Sequence, residues 1–394
     1  MIFIMIKIEQ GTVLEVKRTR AGCSEIVVRV DGAREAAKAI SYDIITGTPR
    51  PGDRVWLNTT AVRLGLGSGG YHFVLHRNGP ISLDSRCSGH IMKLRYTPYQ
   101  LRCLSVEEQT SPHHELLRDR ESLAGVPVVV FELHSQLLPV VLGIRSVRRA
   151  ARVAYVMTDG GALPVQFSEV VHLMRREGLL ATVVTAGHAF GGDLEAVNVY
   201  SGLLAAKEVG GAEVIVVGIG PGIVGTGTKL GHSGVDQGIG ANAVCSLDGR
   251  AILTARVSFA DPRPRHRGIS HHTVTVLRRV VLASVRVALP DLSGARGGAL
   301  RRQAATLPAQ HELLWVPEEE CAAALEGKSD WLPVMRTMGR TYREDREFFL
   351  ASAAAGIVAA GYVDGRAQDG EDEPETVAVS RQGNRGGAGQ CRDG

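Results

Sequence analysis

The chain has 394 residues, 44% of them hydrophobic and only 5% aromatic, with a formal net charge of +4. That length and apolar content suffice for a buried core and for two domains of roughly 100–200 residues each, which excludes a disordered or fibrous chain. The small positive excess, carried mostly by Arg, does not by itself imply nucleic acid.

The opening MIFIMI is apolar but far shorter than the ~20 residues of a spanning helix, and it lacks the basic lead and cleavage site of a secretory signal. No later run is long enough to cross a bilayer, so no membrane partner is expected and the cytoplasm is the expected location. Cys23, Cys87, Cys103, Cys245, Cys321 and Cys391 form no CxxC pair and are read as reduced, structural thiols.

Residues 1–108 read as a small β domain. Its short runs GTVLEVKR, SEIVVRVDG, PGDRVWLNTTAV, GGYHFVLHR and YQLRCLSVEEQ alternate Val and Ile with charged residues between Gly and Pro, which predicts a small antiparallel barrel or sandwich. Residues 109–123 read as a connecting helix, with Ser111 as N-cap and Pro112 at the first helical position.

Residues 124–365 change period. Continuous apolar strands (VPVVVFEL, ARVAYVMTDGG, LLATVVTAG, AEVIVVGIG) alternate with helical segments (VQFSEVVHLMRREG, DLEAVNVYSGLLAAKEVG), predicting an α/β domain: a mostly parallel sheet with helices on both faces. The Asp-Gly pair in NAVCSLDGRAILTARVSFADP suggests a hairpin appended to that sheet. Residues 366–394 lack apolar periodicity and are expected to form a disordered tail.

Ligands of open α/β sheets bind beyond the strand carboxyl ends, and the polar residues of interest collect there. Glu132 and His134 follow the first strand of this domain, Asp159 the second, and His188, Asp193 and Glu195 the third. His188, Asp193 and Glu195 could surround a divalent cation or an attacking water, although the spacing matches no zinc helix motif and Asp193 could equally be an N-cap for a helix starting at Leu194. His134 and His172 read better as core or surface residues.

In ISHHT, Ser270 as N-cap would place His271 and His272 in a first helical turn, where the positive helix end keeps imidazole neutral for general-base or metal-ligand work. Arg263, Arg265 and Arg267, on a loop stiffened by Pro262 and Pro264, suit a carboxylate or phosphate. Gly220, Gly222 and Gly225 satisfy GxGxxG after a strand. NAD is nevertheless disfavoured, because Pro221 interrupts the motif, no helix follows at once and the acidic residue at the right distance, Asp248, sits in the Asp-Gly turn. The alternative is a long glycine loop that brings backbone N–H groups, with Lys229 and His232, close to an anion, or a purely structural loop.

GDRVWLNTTAVRLGLGSGGYHFV, GHIMKLRYTP, EEQTSPHHE, YVMTDGGALP, GHAFGGDLEAVNVYSGLLAAK, GPGIVGTGTKLGHSG and SFADPRPRHRGISHHT together resemble a bacterial protein family of unknown function, from about residue 8 to 360. The resemblance implies no activity or site residue.

The residues themselves point to an enzyme acting on a small anionic substrate, with hydrolysis favoured and metal assistance open. Asp159, His188, Asp193, His271 and His272 would supply acid/base or ligand groups. The alternative is a sensory or regulatory module that binds a metabolite without turnover. Nucleic acid is disfavoured, because no aromatic-plus-basic strand occurs in the β domain; a homo-oligomer is compatible with the sequence.

Overall fold

A computed structural model describes residues 6–80, 89–363 and 380–381. The opening hexapeptide apart from Ile6, Cys87, Cys391 and nearly all of the expected tail lie outside the described residues.

The alternating runs close into a five-stranded barrel: β1 (Ile8–Arg20), β2 (Cys23–Val30), β3 (Ala37–Tyr42), β4 (Arg54–Asn58) and β5 (Tyr71–Arg77). The order is β1-β2-β3-β5-β4, with β4 returning to β1. All pairs are antiparallel except β3 with β5. Every second residue turns inward, so Val13, Ile26, Val28, Ala39, Val55, Leu57 and Val74 fill the interior.

The run expected to be the last strand of the β domain belongs elsewhere. Ile91–Lys93 and Leu101–Cys103 form a hairpin, and Lys93 from it is buried against the α/β domain, donating to Thr185 O at 2.9 Å, Ala189 O at 2.6 Å and Glu195 at 2.6 Å. The 109–123 connection holds only one helical turn, His114–Leu117.

The α/β domain has β6 (Pro127–Val130), β7 (Val153–Thr158), β8 (Thr182–Ala186), β9 (Leu194–Ala196), β10 (Val214–Ile219), β11 (Arg250–Thr254), β12 (Arg286–Asp291) and β13 (Glu312–Pro317). They form one parallel sheet in the order β9-β8-β7-β10-β6-β11-β12-β13, and the backbone of Ser380–Arg381 pairs antiparallel with Leu314–Trp315 at its edge. The helices around it are α1 (Leu137–Val147), α2 (Glu169–Arg176), α3 (Val199–Glu208), α4 (Asp236–Ser246), α5 (His271–Thr275), α6 (Gly294–Ala304), α7 (Glu318–Glu326) and α8 (Arg346–Gly361). No helix among the described residues is long and apolar enough to cross a membrane.

Two local expectations are corrected. DLEAV is extended, not helical: Leu194–Ala196 is the edge strand, and α3 begins only after Asn198, whose side chain accepts from the Tyr200 and Ser201 amides. The Asp248–Gly249 pair closes a helix rather than a hairpin. Asp248 takes φ 56 just past the end of α4, and the chain then enters β11 parallel to β6.

The last helix, α8, is buried along nearly its whole length against α1 and the sheet. Its contact with α1 is backbone to backbone. A Cβ on Gly143 would lie 2.3 Å from Ala353 O, and one on Gly356 would lie 2.0 Å from Val140 O, so only glycine fits at either position.

Candidate functional site

The chain leaves β6 toward β7, then returns through β10 and crosses to β11 on the other side of β6. Connections from the adjacent strands β6 and β10 therefore diverge, and the crevice beyond their carboxyl ends is a topological switch point. Three loops meet there: residues 131–136 after β6, the glycine loop after β10, and the long connection after β11 that carries α5.

Four imidazoles pack at this point. His266 and His272 are buried, at 1% and 6% exposure, as is His232 at 5%, and His271 is partly buried. The His232 and His272 rings stack in parallel with centroids 3.7 Å apart, and the His271 ring meets His272 edge-on at 4.4 Å. One nitrogen from each of His266, His271 and His272 falls within a common 4.8 Å. Ser270 caps α5 by accepting from the His272 amide, and it also touches His266 Nδ1 at 2.8 Å.

Glu132, fully enclosed after β6, reaches His272 Nδ1 at 2.7 Å. Burial pushes its carboxyl up, but the His272 hydrogen bond and the Arg256 charge outweigh that and hold it below the ordinary carboxylate value. Burial first, then neighbouring positive charge, lowers His266 to about 3, His271 to about 4, and His232 in the same direction. These three rings are therefore neutral at physiological pH and keep a lone pair each.

Several ring nitrogens have no partner among the described residues. Nδ1 and Nε2 of His232 and Nε2 of His271 are buried without a hydrogen bond; the Lys229 backbone approaches His232 but does not reach bonding geometry. Buried polar atoms are seldom left so.

Behind the imidazoles lies an acid–arginine lattice. Asp261, fully buried, accepts two bonds from Arg263, at 2.9 and 2.8 Å, and faces Arg256 and Arg340 at 3.5 Å each. Its own burial raises its pKa, but the Arg263 bonds and charge more than reverse this. Arg340 also bonds Asp345, which takes the Ser258 hydroxyl at 2.8 Å.

The family model described as "Protein of unknown function (DUF3866)" matches residues 38–356. The chain belongs to the DUF3866 family. No curated protein and no solved structure matches it. The family's description assigns no chemistry, so this member's site rests on its own geometry.

Of the residues singled out in this DUF3866 chain, the structure gathers His232, His271 and His272. The glycine loop reaches them: residues 224–233 fold as a small hairpin in which Gly225 bridges His232, and a Cβ on Gly225 would come 3.7 Å from His272 Nε2. Lys229 and Gly222 are exposed along this loop, whereas Gly220 is buried against the turn after β7. Arg263 is committed to Asp261, and the exposed Arg267 bonds the Asp261 carbonyl at 3.1 Å. Arg265 is exposed, with no hydrogen bond or ion pair among the described residues, and its charge reaches His271.

The other group does not assemble. Asp193 pairs with Arg175 and accepts the Val183 amide near the start of β8. Glu195, on the edge strand, is taken by Lys93, Thr185 and Gly191. His188 accepts the Leu94 amide at 3.1 Å, and the exposed Asp159 accepts the His188 amide at 2.9 Å. His134 is packed between Ser168, at 2.7 Å, and Ile219 O.

Sequence reasoning missed His266, Arg256, Asp261, Arg340 and Asp345 and left Glu132 without a role. The signal was thin: His266 lay inside a run read for its arginines, and the partners of Glu132 lie 124 and 140 positions away.

A cleft of about 350 Å³ opens beside the site, past β12 and β13, with walls including Phe259, Leu292, Arg296 and Arg343. Its Phe259–Ala260 wall runs directly into Asp261.

Proposed function

We propose that this protein is an enzyme that hydrolyses a small substrate bearing a phosphate or carboxylate, with the imidazole cluster as its reaction centre. The observation that carries the reading is the buried Glu132–His272 pair at the switch point, packed among neutral imidazoles. A carboxylate that accepts Nδ1–H fixes one tautomer and leaves the Nε2 lone pair directed into the site, free either to take a proton from water or to hold a cation that acidifies the water.

Exposed Arg265, and Arg343 on the adjoining cleft, supply positive charge not spent on internal ion pairs among the described residues. They suit the anionic group of the substrate. The buried thiols of Cys23 and Cys321 suit a reducing, cytoplasmic compartment.

The test is a hydrolysis panel of phosphomonoesters, phosphodiesters and carboxylate-bearing acyl esters, run with wild type and His272→Ala. Turnover of one class, abolished in the variant, supports the reading. No turnover on any class, together with anion binding that His272→Ala leaves intact, would make the protein a metabolite-binding module instead.

A further inference from the structure

The geometry points to a transition-metal site, zinc first, formed by the imidazole nitrogens of His266, His271 and His272. It concerns the same cluster as the proposed hydrolysis, yet stands whether or not that reaction is found.

The donor positions come first. One nitrogen from each ring lies within a common 4.8 Å. Ligands 2.0–2.1 Å from a tetrahedral zinc are themselves about 3.3 Å apart, so closing the set needs movements of about 1 Å, within reach of small side-chain rotations.

The outer partners orient the rings. Metal-bound histidines ordinarily give their second nitrogen to a carboxylate, a carbonyl or another polar group, which fixes the tautomer and aims the first. His272 has Glu132 at Nδ1, and His266 has Ser270 at Nδ1, at 2.7 and 2.8 Å. No hydrogen bond among the described residues reaches Nε2 of either ring, and Nε2 of His271 is buried without a partner. A cation held between the three rings would give the buried Nε2 of His271 the partner that protein groups here do not.

Space and charge agree. Because residue 225 is glycine, nothing projects from the loop over His272 Nε2, and an open position remains for a water or substrate oxygen. The positive charge behind the rings is balanced, with buried Arg256 and the partly exposed Arg263 and Arg340 facing the carboxylates of Glu132, Asp261 and Asp345. An all-imidazole set disfavours magnesium and calcium, which take oxygen ligands, and suits zinc, cobalt, nickel, copper or ferrous iron. His232, stacked on His272, would remain outside the coordination sphere.

Untagged full-length protein, stripped with chelator, would be titrated with zinc alone and with cobalt(II) alone, alongside His266→Ala and His271→Ala. His188→Ala and Asp193→Ala serve as controls, and circular dichroism verifies the fold of each. The expected result is about one equivalent of zinc and an intense visible cobalt band of four-coordinate type in wild type and both controls. Affinity should fall by about 100-fold or more in either ligand variant. If stripped wild type takes up neither metal, or if folded ligand variants bind as tightly as wild type, the site does not exist; loss in the controls instead would move it to His188 and Asp193. Hydrolysis by stripped wild type would overturn the metal's role while leaving the proposed reaction standing, and zinc uptake without turnover would do the reverse.

Discussion

Glu132 Oε1 lies 2.7 Å from Nδ1 of His272, across 140 positions of the chain. The contact ties the end of the central strand β6 to the first turn of α5, and it sets which nitrogen of His272 is available. Glu132→Gln keeps the shape but removes the charge. Zinc affinity is expected to fall about 10–100-fold with the far-ultraviolet spectrum unchanged. Isothermal titration of stripped protein checks this, and an unaltered affinity would separate Glu132 from the centre.

Asp261 faces Arg256, Arg263 and Arg340 from a fully buried position. Asp261→Ala strips the partly exposed Arg263 of its partner and leaves Arg256 and Arg340 to Glu132 and Asp345 alone, for which a loss of about 1–3 kcal/mol is expected. Urea denaturation of wild type and variant measures it, and a change below ~1 kcal/mol would mean that the lattice is dispensable.

Gly225 can be tested for access rather than stability. A Cβ there meets His232 Cβ at 3.4 Å and the His272 ring at 3.7 Å, ordinary contact distances, so Gly225→Ala is expected to fold with little cost. Gly225→Leu extends over His272 Nε2 and should abolish turnover while the melting temperature of stripped protein changes by only a few degrees. Full activity in the leucine variant would mean that substrate approaches from another side.

His134 predicts a pH effect. Burial lowers its pKa to about 4, below the ~6.5 of an exposed imidazole in the unfolded chain. The unfolded state therefore binds the proton first as pH falls, so the stabilisation is complete above about 6.5 and is lost on the way to about 4. The drop in unfolding free energy between pH 7.5 and pH 5 should shrink by about 1–2 kcal/mol in His134→Gln. Equal drops in the two proteins would contradict a neutral buried ring.

Arg265 gives the salt-dependent prediction. An exposed guanidinium contributes by screened attraction, so Arg265→Ala should weaken binding of inorganic phosphate several-fold at low ionic strength and much less at 0.5 M salt. A loss independent of salt would instead indicate a buried, direct contact.

The barrel and the parallel sheet were legible because both follow from local periodicity: alternation in residues 8–77, and buried Val-rich runs separated by helices after residue 126. The capping role of Ser270 was legible too, being a matter of neighbouring residues. DLEAV was misread because its short apolar spacing fits either a strand or a helix, although Asn198 just beyond it was an available start signal. Asp-Gly at 248–249 misled because the same pair serves helix ends and hairpins. The Glu132–His272 and Asp345–Ser258 contacts span 140 and 87 positions, and no window along the chain encodes which distant loops converge.

The glycine-to-backbone seam between α1 and α8 joins segments some 200 residues apart, and it also sets an order of events during synthesis. β6 and α1 leave the ribosome early, yet the surface of α1 that α8 covers stays open until Gly356 has emerged. Until then that apolar surface must be sheltered or tolerated, so the nascent chain has a long interval in which aggregation competes with completion. Translation speed through the second half of the message, and chaperone occupancy during it, should therefore govern yield more strongly than the stability of the finished fold.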